Sequence, residues 1–485
     1  MSSEGNTEFD AVVVGSGPNG LAAAIVMRHA GLSVLLIEGK DTIGGGLRSA
    51  ELTLPGFTHD ICSAIHPLAA GSPLFSKLPL ADHGLEFLYP EYSAAHPFDD
   101  GTAAVLTRSV DETAASLGKD ETAYRDLVAP IVEDWPSIVN NILGPLGLPK
   151  NPFALSRFGL KALPSASFIS KRFSTEKGKG LFAGMAAHSI MPLENFATSA
   201  IGLVLMASGH VKGWPVPKGG SMQIANALAS YFTSTGGKIE TGRYITSIKQ
   251  LPSARAILLD VTPRQMIQIA RERFSSGYLS QLQRYKYGMG VFKMDFALDG
   301  PVPWKAEEVS RAGTIHLGST FREIALSEKE TWQGRHPEKP YVLVAQQSVI
   351  DASRAPQGKH TLWAYCHVPN GSTVDMSDAI ENQIERYAPG FRDRILRKHT
   401  FNAQQMNEYN PNYIGGDING GAITPSQLFT RPVLSLSPYK TSAKGIYVCS
   451  SSTPPGGGVH GMCGYHAADR ALRDLFGMKP AIKLD

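Results

Sequence analysis

No CxxC pair occurs anywhere in the chain, and its four cysteines, Cys62, Cys366, Cys449 and Cys463, are scattered without the spacing of metal ligands. That excludes a redox-active disulfide and a cysteine-bound zinc, suits a reducing compartment, and leaves the thiols to be read as small buried apolar side chains. Block charge is missing too. Lys and Arg total 46 against 43 Asp and Glu, a net charge of +3 with no long basic run, so there is no electrostatic footprint for nucleic acid. The longest apolar run, near residues 200–207, is far shorter than the roughly 20 residues a bilayer-spanning helix requires. The polar, acidic first ten residues resemble neither a secretory signal nor an arginine-rich transit peptide. A soluble or peripheral protein of the cytoplasm or an organelle matrix is therefore expected.

Glycine is plentiful, at 49 of 485 residues, and its placement is informative. Phe9-Asp-Ala-Val-Val-Val reads as a short buried strand; Gly15-Ser16-Gly17-Pro18-Asn19-Gly20 as a tight turn; the alanine-rich segment that follows as a helix; and Leu35-Leu-Ile-Glu38 as a second strand ending in a carboxylate. Gly15 permits the sharp turn, Gly17 the approach of a pyrophosphate, and Gly20 close helix–strand packing. The helix N-terminus offers N–H groups and a positive dipole end to phosphates. Glu38, 18 residues beyond Gly20, is placed to accept ribose hydroxyls. A second cluster, Gly44-Gly45-Gly46-Leu-Arg48, allows another close backbone approach and puts a cation within reach of a phosphate.

Leu52–Asp60 reads as a strand and turn, residues 111–209 as mainly helical, and Lys238–Ile248 as a strand pair. From 278 to 434 strands separated by turns dominate, with one clear helix over Ser377–Tyr387, the pattern of an antiparallel layer. Aromatic residues on these strands are read as core. The C-terminal region repeats the pattern of the opening segment, with a strand over Gly445–Ser450, a turn through Gly456-Gly457-Gly458, and a helix from Val459. Two strand–glycine–helix units so far apart suggest one nucleotide-binding domain built from both ends of the sequence, with the middle inserted.

With these motifs in view the chain resembles FAD-dependent oxidoreductases of the phytoene desaturase and carotenoid dehydrogenase type, nearest the pyridine nucleotide-disulfide oxidoreductase domain-containing branch. The resemblance runs nearly end to end, through Gly15–Gly20, Glu38, Gly44–Arg48, Pro217–Gly220, Gly242–Ile245 and Pro455–Gly461. It implies an α/β (overall α+β) fold: a glutathione-reductase-like Rossmann FAD domain from residues 1–75, 215–265 and 435–485. A substrate domain of mixed antiparallel sheet and helices would occupy 76–214 and 266–434, with a helical subregion near 120–210. It further implies FAD held by Gly15, Ser16, Gly17, Pro18, Asn19, Gly20, Glu38, Gly45, Gly46, Arg48, the Ile245 backbone, and the turn from Ser451 through Gly458, Val459 and His460.

The implied chemistry is hydride transfer between a small, lipophilic organic substrate and flavin N5, as in a dehydrogenase or desaturase. Peripheral membrane contact would go through the helical region; the oligomeric state and the electron acceptor (O2, a quinone or NAD(P)) stay open. A separate NAD(P)H domain is not expected. His66 and His460 are the weak catalytic candidates, with His59 in a neighbouring segment, and Lys293 and Tyr465 hint at an amine oxidase arrangement. The other reading is a flavin-bearing regulatory or interaction protein with little turnover. Two departures stand out: Ser450-Ser451-Ser452 replaces the family's Gly-Ala or Gly-Asp, and His466 stands where asparagine is common.

Overall fold

A computed structural model describes residues 7–145, 151–428 and 430–484. Its first sheet is wholly parallel, in spatial order Ile446–Val448, Ala254–Leu259, Phe9–Val14, Val34–Ile37 and Lys238–Glu240. The Phe9–Val14 strand, apolar on both faces, lies at the centre as a parallel strand covered on both sides must. The chain leaves it in one direction for Val34–Ile37 and returns on its other flank with Ala254–Leu259. That reversal opens a crevice beyond the strands' C-terminal ends, where such sheets bind ligands.

The helix Pro18–His29 starts with proline in its first turn and buries Leu21–Met27 against this sheet. It also meets the helix Met462–Ala471 backbone to backbone: a Cβ on Gly464 would lie 1.9 Å from the Asn19 carbonyl oxygen. Small residues are thus required on both helices. The last helix begins at Met462, later than the expected Val459, because Gly461 holds a left-handed φ of 70° and sets the turn before it.

The second sheet has seven strands in the order Ile395–Phe401, Gly290–Leu298, His360–Val368, Val342–Ala345, Ala312–Leu317, Tyr92–Pro97 and Ala103–Leu106. Its pairs are antiparallel except Ala312–Leu317 with Tyr92–Pro97. One face packs on helices from residues 110–211, and the other on the helix Ser377–Tyr387. The architecture is mixed α/β, as expected. No described helix is long and apolar enough to cross a membrane.

Three local expectations are corrected. Between residues 278 and 434 a second substantial helix, Phe321–Trp332, forms; the Thr320 side chain accepts the Glu323 N–H, a start signal visible in Thr320-x-x-Glu323. Only Lys238–Glu240 of the expected strand pair is a strand. Gly242, at φ 70°, turns the chain away, and a Ser247–Gln250 capping box closes a short helical turn. In Leu52–Asp60 only His59–Asp60 is extended into a ladder, pairing with Ser49–Ala50.

Candidate active site

The glycine turn is forced by contact, not only by backbone angle. Gly15 has φ 102°, and its N–H donates to the Ile37 carbonyl at 2.8 Å. A Cβ on Gly20 would lie 1.9 Å from the Gly15 carbonyl oxygen, and one on Gly45 would lie 3.0 Å from the Gly17 Cα. The two glycine clusters therefore stack backbone on backbone and leave a smooth cradle. Beside it Glu38 accepts from the Ser16 N–H at 3.1 Å and the Lys40 N–H at 2.9 Å. Arg48, expected to face a phosphate, pairs instead with Glu38 at 3.0 Å and donates to the Thr42 carbonyl at 2.7 Å. Ile245 is brought to Glu38 by the return turn, where the Arg243 N–H donates to the Glu38 carbonyl and the Gly242 N–H to that of Lys40.

From this cradle a continuous cavity of about 390 Å³ runs into the molecule, within the roughly 300–1,000 Å³ usual for ligand sites. Of the sequence-derived positions, Gly15, Ser16, Gly17, Pro18, Asn19, Glu38, Gly45, Gly46, Arg48, Ile245, Ser451, Gly458 and Val459 all line it. Gly20 and His460 do not. Gly20 lies beneath the turn, and His460 is buried behind its own loop, its Nδ1 accepting the Met462 N–H at 3.0 Å. The inner end is walled by Trp214, Leu343, Trp363 and Tyr365, the last two projecting from one face of the His360–Val368 strand. A backbone cradle that opens into such a cavity suits a dinucleotide.

Sequence reasoning missed Asp260, immediately after Ala254–Leu259 and directly opposite the glycine turn. It lines the cavity and accepts the Gly20 N–H at 2.9 Å. Burial lifts its carboxyl to about 7, the nearby Glu38 adds to this, and the Gly20 N–H opposes it. The signal was present: an acid at the C-terminal end of a parallel strand. A carboxyl raised above its unfolded value of about 4 holds an extra proton in the folded state, so it withdraws stability as pH climbs from about 4 through about 7. Asp260→Asn keeps an acceptor for Gly20 and removes the titration. Its stability relative to wild type, from urea melts, is expected to rise by about 1–2 kcal/mol between pH 5 and pH 8. A flat difference would contradict the assignment.

Of the imidazoles singled out, His66 lines the cavity, with Nε2 2.7 Å from Ser221 Oγ; burial lowers it to about 4. Burial also lowers His460 to about 4. Both are neutral at physiological pH, and neither has a carboxylate hydrogen-bonded to it. His59 sits outside the cavity against Thr53 and Asp295, and Tyr465 donates to the Ile482 carbonyl, away from the site. Lys293 is buried against Asp295 and over the Trp363 ring, 5.9 Å from its centroid. His466 meets the Leu143 carbonyl at 3.0 Å.

The wall around His66 is braced by a buried ion cluster that sequence reasoning also missed. Arg354 donates to Asp60 at 3.0 Å, to Asp351 at 2.9 Å and to the Pro217 carbonyl at 3.0 Å. Asp60 additionally accepts from the Ser221 N–H and from Ser49 Oγ, each at 2.7 Å. Among the described residues the four cysteines are free. Cys366, Cys449 and Cys463 are buried as expected, whereas Cys62 stands at the cavity wall. No cluster of potential metal ligands occurs among the described residues.

Residues 13–77 match the family described as an NAD(P)-binding Rossmann-like domain. Together with the two-sheet fold and its cavity this defines the class: a Rossmann-type oxidoreductase. More narrowly, the chain is similar to phytoene desaturases and to pyridine nucleotide-disulfide oxidoreductase domain-containing proteins. It is 25% identical to pyridine nucleotide-disulfide oxidoreductase domain-containing protein 2 of Mus musculus, over 97% of this chain and 94% of that one. It is 24% identical to the lycopene-forming phytoene desaturase of Pantoea ananas, over 95% and 98%. Among solved structures, an oxidoreductase from Methanosarcina mazei superimposes with a TM-score of 0.64 at 16% identity, over 93% of this chain and 97% of that chain.

Proposed function

We propose that this protein is a flavoenzyme that binds FAD along the cavity and exchanges hydride between flavin N5 and a largely apolar organic molecule. The observation carrying this reading is the single cavity that joins the glycine cradle to the aromatic end. Residues 1–75, 215–265 and 435–485 would form the FAD domain, of glutathione-reductase-like type, and 76–214 and 266–434 the substrate domain. FAD, when bound, supplies the two-electron acceptor.

The chain's own residues do the rest. Gly15, Gly17, Gly45 and Gly46 present bare backbone to the pyrophosphate, and Gly20 lets the helix end approach it. Glu38 accepts the ribose hydroxyls and Arg48 neutralises the charge there. The Ile245 backbone meets the adenine, while Ser451, Gly458 and Val459 face the flavin's pyrimidine end, with His460 filling the space behind them. Trp214, Leu343, Trp363 and Tyr365 exclude water from the reacting end.

Purified protein is expected to be yellow, with flavin absorbance released on denaturation, and to bleach anaerobically with a lipophilic donor. Colourless protein that takes up no added FAD would end this reading. Protein that binds FAD tightly but is never reduced by lipids, amines or NAD(P)H would point to a flavin-bearing interaction protein.

A further inference from the structure

The helix Glu176–Ala187 ends on His188, and the chain continues to Ile190 with a φ of 52°. A β-branched residue at positive φ is a backbone outlier that persists only where its surroundings impose it. Here the turn sets both His188 and Ile190 in the wall at the aromatic end of the cavity.

His188 does not stand alone. Its Nε2 lies 2.9 Å from Nε2 of His316, a buried residue on the strand Ala312–Leu317. Two neutral imidazole nitrogens at that distance share one hydrogen, and the surroundings decide whose it is. His316 Nδ1 is buried without a hydrogen-bond partner and is packed against Gly184, where a Cβ would be 2.7 Å from it. A buried N–H left without an acceptor is rarer and costlier than an unpaired ring lone pair, so Nδ1 is the bare nitrogen. The His316 hydrogen sits on Nε2 and is donated to His188, whose own hydrogen must then be on Nδ1. His188 Nδ1 has no hydrogen-bond partner among the described residues and is not sealed from the cavity. Burial lowers His188 to about 3 and His316 well below the usual histidine value, so both stay neutral and the tautomers hold.

A second observation points the same way. Thr314, two residues before His316 on the same strand face, also lines the cavity, and its buried hydroxyl has no partner. Buried polar groups are paired in nearly all folded proteins, so an unpaired pair at an otherwise apolar end marks a place for a ligand atom.

We propose that His188 Nδ1–H and the Thr314 hydroxyl together grip an oxygen acceptor on the substrate, which is a lipophilic ketone, aldehyde or carboxylic compound, not a bare hydrocarbon or an alkylammonium. This rests on the reading that the aromatic end receives the substrate. His188 is a positioning residue, and His316 acts through it by fixing its tautomer.

The test titrates the purified, FAD-supplemented protein with 2-undecanone, undecane and undecylamine, following tryptophan fluorescence, since Trp214 packs 5.9 Å from the His188 ring. The ketone is expected to bind about ten-fold more tightly than the alkane or the amine. His188→Phe should erase that preference, Thr314→Val should reduce it, and His188→Asn, which keeps an N–H donor, should restore part of it. Equal affinities for the three probes, no ketone binding, or a preference unchanged in His188→Phe overturns the proposal. Independently of any variant, ¹⁵N NMR of histidine-labelled wild-type protein should show His188 protonated on Nδ1, and protonation on Nε2 overturns it. Flavin absorbance of the same samples separates the two readings. Failure to take up FAD removes the flavoenzyme assignment, while the fluorescence titration still decides the oxygen grip.

Discussion

Gly20→Ala is expected to destabilise the protein by about 4 kcal/mol or more and to abolish retention of flavin, because the added carbon would sit 1.9 Å from the Gly15 carbonyl oxygen. That oxygen belongs to the turn itself, and the turn is held by the Gly15 N–H to the Ile37 carbonyl. Neither partner is a side-chain tip that could swing aside. Relief requires the helix Pro18–His29 to lift from the sheet, which would also break its contact with Gly464. Urea denaturation and soluble yield measure the effect. The control is Gly277→Ala, in the short helix Ser276–Gln283, where a Cβ would meet nothing within 4 Å. There the same chemical change should be neutral or stabilise by about 0.5–1 kcal/mol. Similar losses in both variants would refute the contact argument.

The second large effect concerns Arg354, whose side chain, like that of Asp60, is 0% exposed. Arg354→Met fills a similar volume but leaves Asp60 and Asp351 without their cation, and a loss of about 3–5 kcal/mol is expected. The pH dependence should also reverse. Although burial pushes the Asp60 carboxyl up, Arg354, the Ser221 N–H and the Ser49 hydroxyl hold it below the usual carboxylate value. In the wild type this cluster therefore contributes stability above the unfolded value of about 4, and loses it as pH falls through the folded value. Without the guanidinium, burial dominates, Asp60 rises above its unfolded value, and stability is lost as pH rises instead. Denaturant melts between pH 4 and pH 8 would show the variant's deficit shrinking toward acid. A deficit that is constant across that range would mean the arginine acts through packing alone.

What could be read from the sequence was local and repetitive. The strand–glycine–helix signal at residues 9–38 works because its tightest contact, Gly20 on the Gly15 carbonyl, lies within a few residues of itself. The alternating aromatics of His360–Val368 announced a strand for the same reason. The inner half of the cavity was not legible. Trp363 and Tyr365 look like core residues until the neighbouring layer is placed, and His188, His316 and Thr314 come from two elements more than a hundred residues apart. Asp60, Asp351 and Arg354 are likewise joined only by tertiary folding. The pairing of Arg48 with Glu38 was also not legible, because sequence spacing says nothing of which acceptor a cation meets.

The backbone contact between Gly464 and Asn19 has a consequence for how the molecule comes into being. During synthesis the strand Phe9–Val14 and the helix Pro18–His29 emerge well before the helix Met462–Ala471 that packs on them. The helix Pro18–His29 therefore waits, with one face uncovered, while some four hundred residues are added. The seven-stranded layer, whose strands all lie between residues 92 and 401, can be complete before then. The finished cradle is in this way tied to a distant segment: a nascent polypeptide that stops short of Met462 has the glycine turn but not the helix that presses on it.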